Sequence, residues 1–272
     1  MPELPELIVL SRQMTREIGG KEIAEVSAVQ PKCLNVQPED LRNTLSGKRV
    51  GEVTNRGKWL FMQARPGYMA LINLGMGADL VFRAEGKPPP DKYQVKVDFT
   101  DGSGFSIRFW WFGHVHVVPE GSLDSHELTR DLGPSPLDPG FTVEAFRTML
   151  QGSRGRVKPF IMDQRRIAGI GNAYVHDILF DAGIHPDRAI PSLSEDEISR
   201  LHASIRRVLG TSVELGGAYY EKDFYGNPGG CGPERWVIGY REGKPCPRCG
   251  TVITKIKTGG ASTFICPECQ KI

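Results

Sequence analysis

Gly133-Pro134-Ser135-Pro136-Leu137-Asp138-Pro139-Gly140 holds three prolines and two glycines in eight residues. Proline removes a backbone donor and clashes with a preceding helical turn, so no regular element runs through such a stretch. The patterning changes across it. From about 21 to 118 the chain alternates as strands do, most clearly where Val95, Val97 and Phe99 interleave with Lys96 and Asp98. Asp101-Gly102 then turns the chain back into Phe105, Ile107 and Phe109, so hairpins of a sandwich or barrel are expected. Beyond the boundary the period becomes helical at about 142–150, as a pair around 158–182 broken at Gly169-Ile170-Gly171, and at 195–209. Ser194 with Glu197 makes a capping box at the last start, and Leu193 with Ile198 a hydrophobic staple. Ahead of the strands, Leu4, Leu7, Ile8, Met14 and Ile18 fall near helical spacing between Pro2/Pro5 and Gly19-Gly20, which predicts an amphipathic N-terminal helix. Gly-rich sequence from 216 to 232 reads as a mobile loop.

The chain has 272 residues, 24% charged and 39% hydrophobic, enough for one large or two medium domains with real cores. Disorder and fibrous architectures are excluded. Thirty-four Lys and Arg against 32 Asp and Glu leave a net charge of +2, so a polyanion partner must be argued from local clusters. Two exist. Arg154, Arg156, Lys158, Arg165 and Arg166 face Asp163 alone, and Arg241, Lys244, Arg248, Lys255, Lys257 and Lys271 outnumber Glu242 and Glu268. They suggest a phosphate-backbone track, against the plainer reading of a solvated, salt-bridged face. No apolar run approaches the ~18 residues of a membrane span. Glu3 and Glu6 precede the first basic residue, Arg12, unlike a signal peptide, so an intracellular protein without membrane partners is expected.

Four of the six cysteines form two pairs, Cys246-Pro-Arg-Cys249 and Cys266-Pro-Glu-Cys269, separated by 16 residues. Each pair can turn two thiolates toward one tetrahedral ion, and C-x2-C-x16-C-x2-C is zinc spacing, which predicts one structural Zn2+. A redox dithiol needs one pair, and neither pair opens a βαβ unit. Cys33 and Cys231 are left as free thiols.

The opening Met1-Pro2-Glu3-Leu4-Pro5-Glu6 makes chemical sense if Met1 is removed, which a small second residue favours. Pro2 then exposes a secondary amine at a helix N-terminus, where the dipole disfavours positive charge and leaves a free-base nucleophile near neutral pH. Attack on a sugar C1′ would give an iminium that acidifies C2′ and invites β-elimination of phosphate, with Glu3 moving protons. Judged on this dipeptide alone, a proline at the first helical position with acids complementing the dipole is the better explanation.

Together these residues resemble the formamidopyrimidine-DNA glycosylase and endonuclease VIII family. The similarity runs through Pro2-Glu3-Leu4-Pro5-Glu6, Arg56-Gly57-Lys58, Leu74-Gly75-Met76, Leu132-Gly133-Pro134, Lys158-Pro159, Asp163-Gln164, Gly169-Ile170-Gly171-Asn172-Ala173-Tyr174, Ala182-Gly183-Ile184-His185-Pro186 and the terminal Cys-Pro-Glu-Cys-Gln. The resemblance implies an α+β fold: an N-terminal β-sandwich with its amphipathic helix, a C-terminal helical domain built as helix, two turns, helix, and a zinc β-ribbon, with DNA in the cleft between domains. The expected division is a catalytic sandwich at 1–132, a linker at 133–141, a helical DNA-binding domain with a lesion-covering loop at 142–232, and the ribbon at 233–272. By the same resemblance Pro2 is the Schiff-base nucleophile and Glu3 its acid/base partner. Lys58 and Asn172 clamp phosphates around an extruded nucleotide, and Met76 fills the gap it leaves. Lys158 and Lys257, from the two basic clusters, are expected to contact DNA, and Glu6 and Asp177 to border the lesion pocket.

The departures matter too. The family's Arg before Phe-Gly, which reads the base opposite an oxidised guanine, is replaced: Trp111 precedes Phe112-Gly113. An aromatic there stacks on the orphaned base without edge reading, so cytosine selection is not expected. Ala261 occupies the ribbon-turn position of a phosphate-gripping Arg, a loss of ~1.5–3 kcal/mol unless Lys255 or Lys257 substitutes. Asp177 stands where a longer Glu is common. His114 and His116 share a strand face, but no third metal ligand is evident from sequence. The expected activity is base-excision repair: removal of a damaged base through Pro2 and nicking of the abasic site by β- or β,δ-elimination, by a monomer acting on double-stranded DNA. Two alternatives are a damaged- or branched-DNA-binding protein with little catalysis, and a lyase for abasic sites, bulky adducts or crosslinks. A cytoplasmic location is expected, with the nucleoid if the source is bacterial.

Overall fold

A computed structural model describes residues 1–272. The chain forms two compact units, one of Met1–Asp131 with Leu215–Gly230, the other of Leu132–Glu214 with Cys231–Ile272.

The first unit opens with helix α1 (Leu4–Ile18), which buries Leu4, Leu7, Leu10, Met14 and Ile18 along one stripe, as the sequence spacing requires. It stops at Gly19-Gly20, where Gly20 takes φ +84°. Strand β1 (Ile23–Ala28) and a short helix α2 (Pro38–Leu45) follow. With only Leu41 and Leu45 buried, α2 offers too weak a periodicity to be seen in sequence. Then come β2 (Arg49–Arg56), β3 (Trp59–Arg65), β4 (Tyr68–Asn73), β5 (Asp79–Arg83), β6 (Val95–Phe99), β7 (Gly104–Arg108) and β8 (His114–Pro119). They form two antiparallel four-stranded sheets, β2-β3-β4-β8 and β1-β6-β7-β5. Alternate residues such as Leu60, Met62, Ile72, Val95, Val97 and Ile107 meet α1 in a shared core, so the strands make a sandwich. Segment 215–230 belongs to this unit. Phe224 is fully buried in the sandwich core, its N–H bonded to Gln13 Oε1 at 2.8 Å, so a stretch whose glycines suggest mobility is pinned by one aromatic.

The second unit contains α3 (Val143–Leu150), α4 (Val157–Met162), α5 (Val175–Ala182) and α6 (Glu195–Glu214). Between α4 and α5, Gln164 folds the turns around itself: Nε2 donates to the carbonyls of Met162 and Ile170, and Oε1 accepts from Gly169 N–H. This is the expected helix, two turns, helix. Helix α6 continues five residues past 209 because buried Ser212 bonds the Tyr174 hydroxyl at 2.6 Å and holds another turn in place. The unit closes with the hairpin of β9 (Thr254–Thr258) and β10 (Ala261–Ile265).

Candidate functional site

Glu3 caps α1 in a reciprocal capping box with Glu6, so the opening acids have a local reason to be there. Glu6 Oε2 accepts from Glu3 N–H at 2.8 Å, and its Oε1 accepts from Ala218 N–H at 2.9 Å. Glu6 thus ties the first turn of α1 to segment 215–230. Gly217 is required beside it, since it has φ +90° and a Cβ there would sit 3.0 Å from Glu6 Cγ. Pro2 and Glu3 are buried, and Lys58, on the β2–β3 turn, brings Nζ to 3.9 Å from Glu3 Oε1. The backbone of Lys58 is fixed by Asn73 Nδ2, which donates to its carbonyl at 2.9 Å. Pro2, Glu3 and Glu6 from the chain start therefore share one corner of the sandwich with the sequence-distant Lys58. Nothing in the sequence pointed to a fifth member: the amine of Met1 lies 3.2 Å from Glu221 Oε1. Glu221 is buried, and its carboxyl is pushed above the usual range, first by burial.

A second feature of this unit is apolar and exposed. Met76, Trp110, Trp111 and Phe112 are 48%, 70%, 64% and 75% accessible, too much large apolar surface for a tip with no ligand. Two backbone bonds join its halves, Met76 N–H to Trp111 O and Trp110 N–H to Met76 O, both 2.9 Å. Gly75 allows the approach, for a Cβ there would run into the backbone of Trp111 and Gly113. Phe112 takes φ +58°, a left-handed conformation costly for a bulky residue and of a kind that gathers at functional sites.

In the second unit Lys158, expected at DNA, is only 1% exposed. Its ammonium donates to Asn172 Oδ1 at 2.8 Å, Thr263 Oγ1 at 2.6 Å and Ser262 O at 3.3 Å, and burial lowers its pKa to about 8. An ammonium only donates, so Asn172 must turn Oδ1 toward it, leaving the amide NH2 to donate elsewhere. Asp177, expected at a lesion pocket, lies 4% exposed beneath residues 237–239. It accepts from the backbone N–H groups of Val237, Ile238 and Gly239, each at 2.9 Å. Lys257 is exposed on β9, opposite Ser262, and Ala261 is half-buried beside the Gly259-Gly260 turn.

The sulfurs of Cys246, Cys249, Cys266 and Cys269 lie within 4.8 Å of one another. Tetrahedral zinc with bonds of about 2.3 Å sets sulfur pairs about 3.8 Å apart. The separations of 3.9 Å for Cys246–Cys269 and 3.4 Å for Cys249–Cys266 fit that geometry. Arg248 N–H points to Cys246 Sγ and Cys269 N–H to Cys266 Sγ, both at 3.4 Å, donors that favour thiolate. These four cysteines are placed to hold one structural Zn2+, which would brace the ribbon.

A sandwich with an exposed apolar tip, a helix, two turns, helix unit and a tetrathiolate ribbon define the class of zinc-containing DNA base-excision enzymes. Residues 1–110 match the formamidopyrimidine-DNA glycosylase N-terminal domain, 132–223 its H2TH domain, and 243–272 the zinc finger found in FPG and IleRS. The formamidopyrimidine-DNA glycosylase of Pelotomaculum thermopropionicum is 36% identical over 279 residues, covering all of both chains. A structure of MutM in complex with carbocyclic 8-oxo-G containing DNA superposes with TM-score 0.90 at 30% identity over all of both chains. One of the Lactococcus lactis Fpg with abasic-site DNA gives 0.90 at 29% identity, over 99% of this chain and all of that one. The chain belongs to the formamidopyrimidine-DNA glycosylase family.

Proposed function

We propose that this protein excises a damaged base from double-stranded DNA through the Pro2 amine and nicks the resulting abasic site by β-elimination. The observation that carries the reading is the corner where Pro2, at the head of a capped helix, is buried beside Glu3 and Lys58. Its support from outside is that relatives over the full length are named formamidopyrimidine-DNA glycosylases, and that solved relatives hold 8-oxo-G-analogue and abasic DNA. A binding-only role is not favoured.

Once Met1 is removed, the Pro2 nitrogen attacks C1′ and the base departs with the C1′–N electron pair; the Pro2 nitrogen then loses its proton and its lone pair forms the iminium as the C1′–O4′ bond breaks and O4′ takes a proton. Glu3 carries protons in that half of the reaction, and the Lys58 cation steadies the neighbouring phosphate. Met76, Trp111 and Phe112 fill the space left by the extruded nucleotide, an apolar wedge that every base can stack upon. Asn172 donates to phosphate, held in orientation by Lys158, and Lys257 adds a screened cation. Glu6 and Asp177 act as braces, the one behind the N-terminus, the other under residues 237–239. The functional division expected at 1–132, 133–141, 142–232 and 233–272 is amended at one place: segment 215–230 belongs to the catalytic unit, leaving 132–214 with 231–272 as the DNA-binding and zinc-ribbon unit. No helix is long and apolar enough to cross a membrane. We place the monomer in the cytoplasm, and at the nucleoid if its source is bacterial, because that is where its duplex substrate would lie.

Borohydride trapping on a duplex with a single abasic site tests this, with intact mass establishing the loss of Met1. A covalent adduct is expected, and it should vanish when a glycine precedes Pro2. Correctly processed, zinc-loaded protein that yields no adduct would overturn the amine nucleophile.

A further inference from the structure

The Met1–Pro2 peptide bond mimics the covalent intermediate that replaces it. A prolyl amide and a prolyl iminium both join a planar three-coordinate nitrogen to a planar carbon. In the unprocessed chain that carbon is the Met1 carbonyl carbon; in the Schiff base it is C1′. Met1 Cα then stands where C2′ will stand, and the Met1 amino group marks the place of a substituent on C2′. That amino group is the one held 3.2 Å from Glu221 Oε1.

Resting on the Pro2 reading above, we propose that Glu221 is a further catalytic residue, the general base that takes the C2′ proton in the elimination step. The proton passes to the Glu221 carboxylate, and the C2′–H electron pair becomes the C1′=C2′ bond as the iminium collapses to a neutral enamine. The enamine nitrogen then returns its pair. C2′=C3′ forms, the C3′–O3′ bond breaks, and phosphate leaves with the bonding electrons while the iminium is regenerated in conjugation.

The surroundings suit a base. Glu221 is 8% exposed, and burial raises its pKa, with Glu3 and Asp79 adding like charge and only the terminal ammonium opposing them. Removing Met1 takes that ammonium away. A carboxylate of raised pKa binds a proton more strongly in the transition state. Asp79 is held in ion pairs by Lys222 at 3.0 Å and Arg108 at 2.9 Å, so Glu221 is the carboxylate left to act. Its backbone is set by Glu221 N–H to Ala218 O at 3.0 Å and Gly229 N–H to Glu221 O at 3.1 Å. Buried Phe224, three residues on, anchors the segment. Glu3, committed to the helix cap and to Lys58, is left with the glycosylase half.

The test compares processed wild type, Glu221→Gln and Glu221→Asp on duplex with one abasic site, scoring both borohydride trapping and strand nicking against pH. Glu221→Gln should still trap while nicking slows ~100-fold, the usual worth of a general base. The fall of nicking rate toward low pH should disappear in Glu221→Gln and persist in Glu221→Asp at an intermediate rate. Nicking by Glu221→Gln within about threefold of wild type, or trapping and nicking lost together, overturns the assignment. Wild type that fails to trap at all would sink the Pro2 reading first, a separate outcome.

Discussion

Trp111 presents 64% of its surface on a tip whose backbone is locked to Met76, so its ring is offered outward rather than packed. A stacking ring reads no base edge, whereas a guanidinium makes directed bonds worth about 1–3 kcal/mol in discrimination. Trp111→Arg should therefore raise the preference for a lesion opposite dC about tenfold over the wild type, measured as relative kcat/KM on four duplexes differing only in the opposing base. Equal preference in both proteins would mean that Trp111 does not face that base. At this scale the sequence was legible where a residue's chemistry is unusual for its place, as at the four cysteines, whose sulfurs the fold gathers within 4.8 Å. It was misleading where charge stood for exposure. Lys158 counts as a basic residue in a basic cluster, yet its ammonium is satisfied by Asn172, Ser262 and Thr263, and only packing reveals that.

Strand β8 carries a feature sequence showed by halves. His114 and His116 share its face, and His126, from the turn beyond, joins them against Trp59, with His116 Nδ1 to His126 Nε2 at 2.8 Å. A pair of neutral imidazoles shares such a bond; two imidazoliums cannot. Burial lowers all three pKa values, that of His116 to about 4, where His114 and His126 add to the effect and Glu127 opposes it at His126. The unfolded chain takes up these protons near 6.5, so the stabilisation is complete above pH 6.5 and lost as pH falls toward 4. The urea midpoint should drop between pH 7.5 and 5, and His116→Asn should flatten that drop; a midpoint independent of pH in the wild type would refute the account. The β9–β10 ribbon depends on metal instead. Cys246 and Cys266 are part of a small core with Ile238, Ile253, Phe264 and Phe180 of α5, too few groups to fold a hairpin unaided. Chelating the zinc should remove hydrogen-exchange protection from 243–272 while strands of the sandwich keep theirs. Protection retained in the ribbon after metal loss would show a core sufficient alone.

At the scale of the whole chain, the first unit is discontinuous, closed only when 215–230 returns to it. Phe224 fills its core and positions Glu221, so Phe224→Ala should cost roughly 3–5 kcal/mol in denaturant unfolding. Nicking should fall further than the stability loss explains at temperatures where the variant is folded. A loss under about 1 kcal/mol would mean that the segment is not anchored there. By itself the sequence determined what depends on local pattern and on chemistry at fixed spacing. That includes the helix at 4–18, the alternating strands, the break at 133–140 and the cysteine tetrad. Tertiary structure alone decided which of the charged residues are buried and whom they meet. Glu6 bonds Ala218 and the Met1 amine meets Glu221 across more than two hundred residues, contacts set by closure of the fold. The reason is physical: periodicity is written every two or four residues, whereas desolvation and hydrogen-bond partnership depend on neighbours that no local window contains.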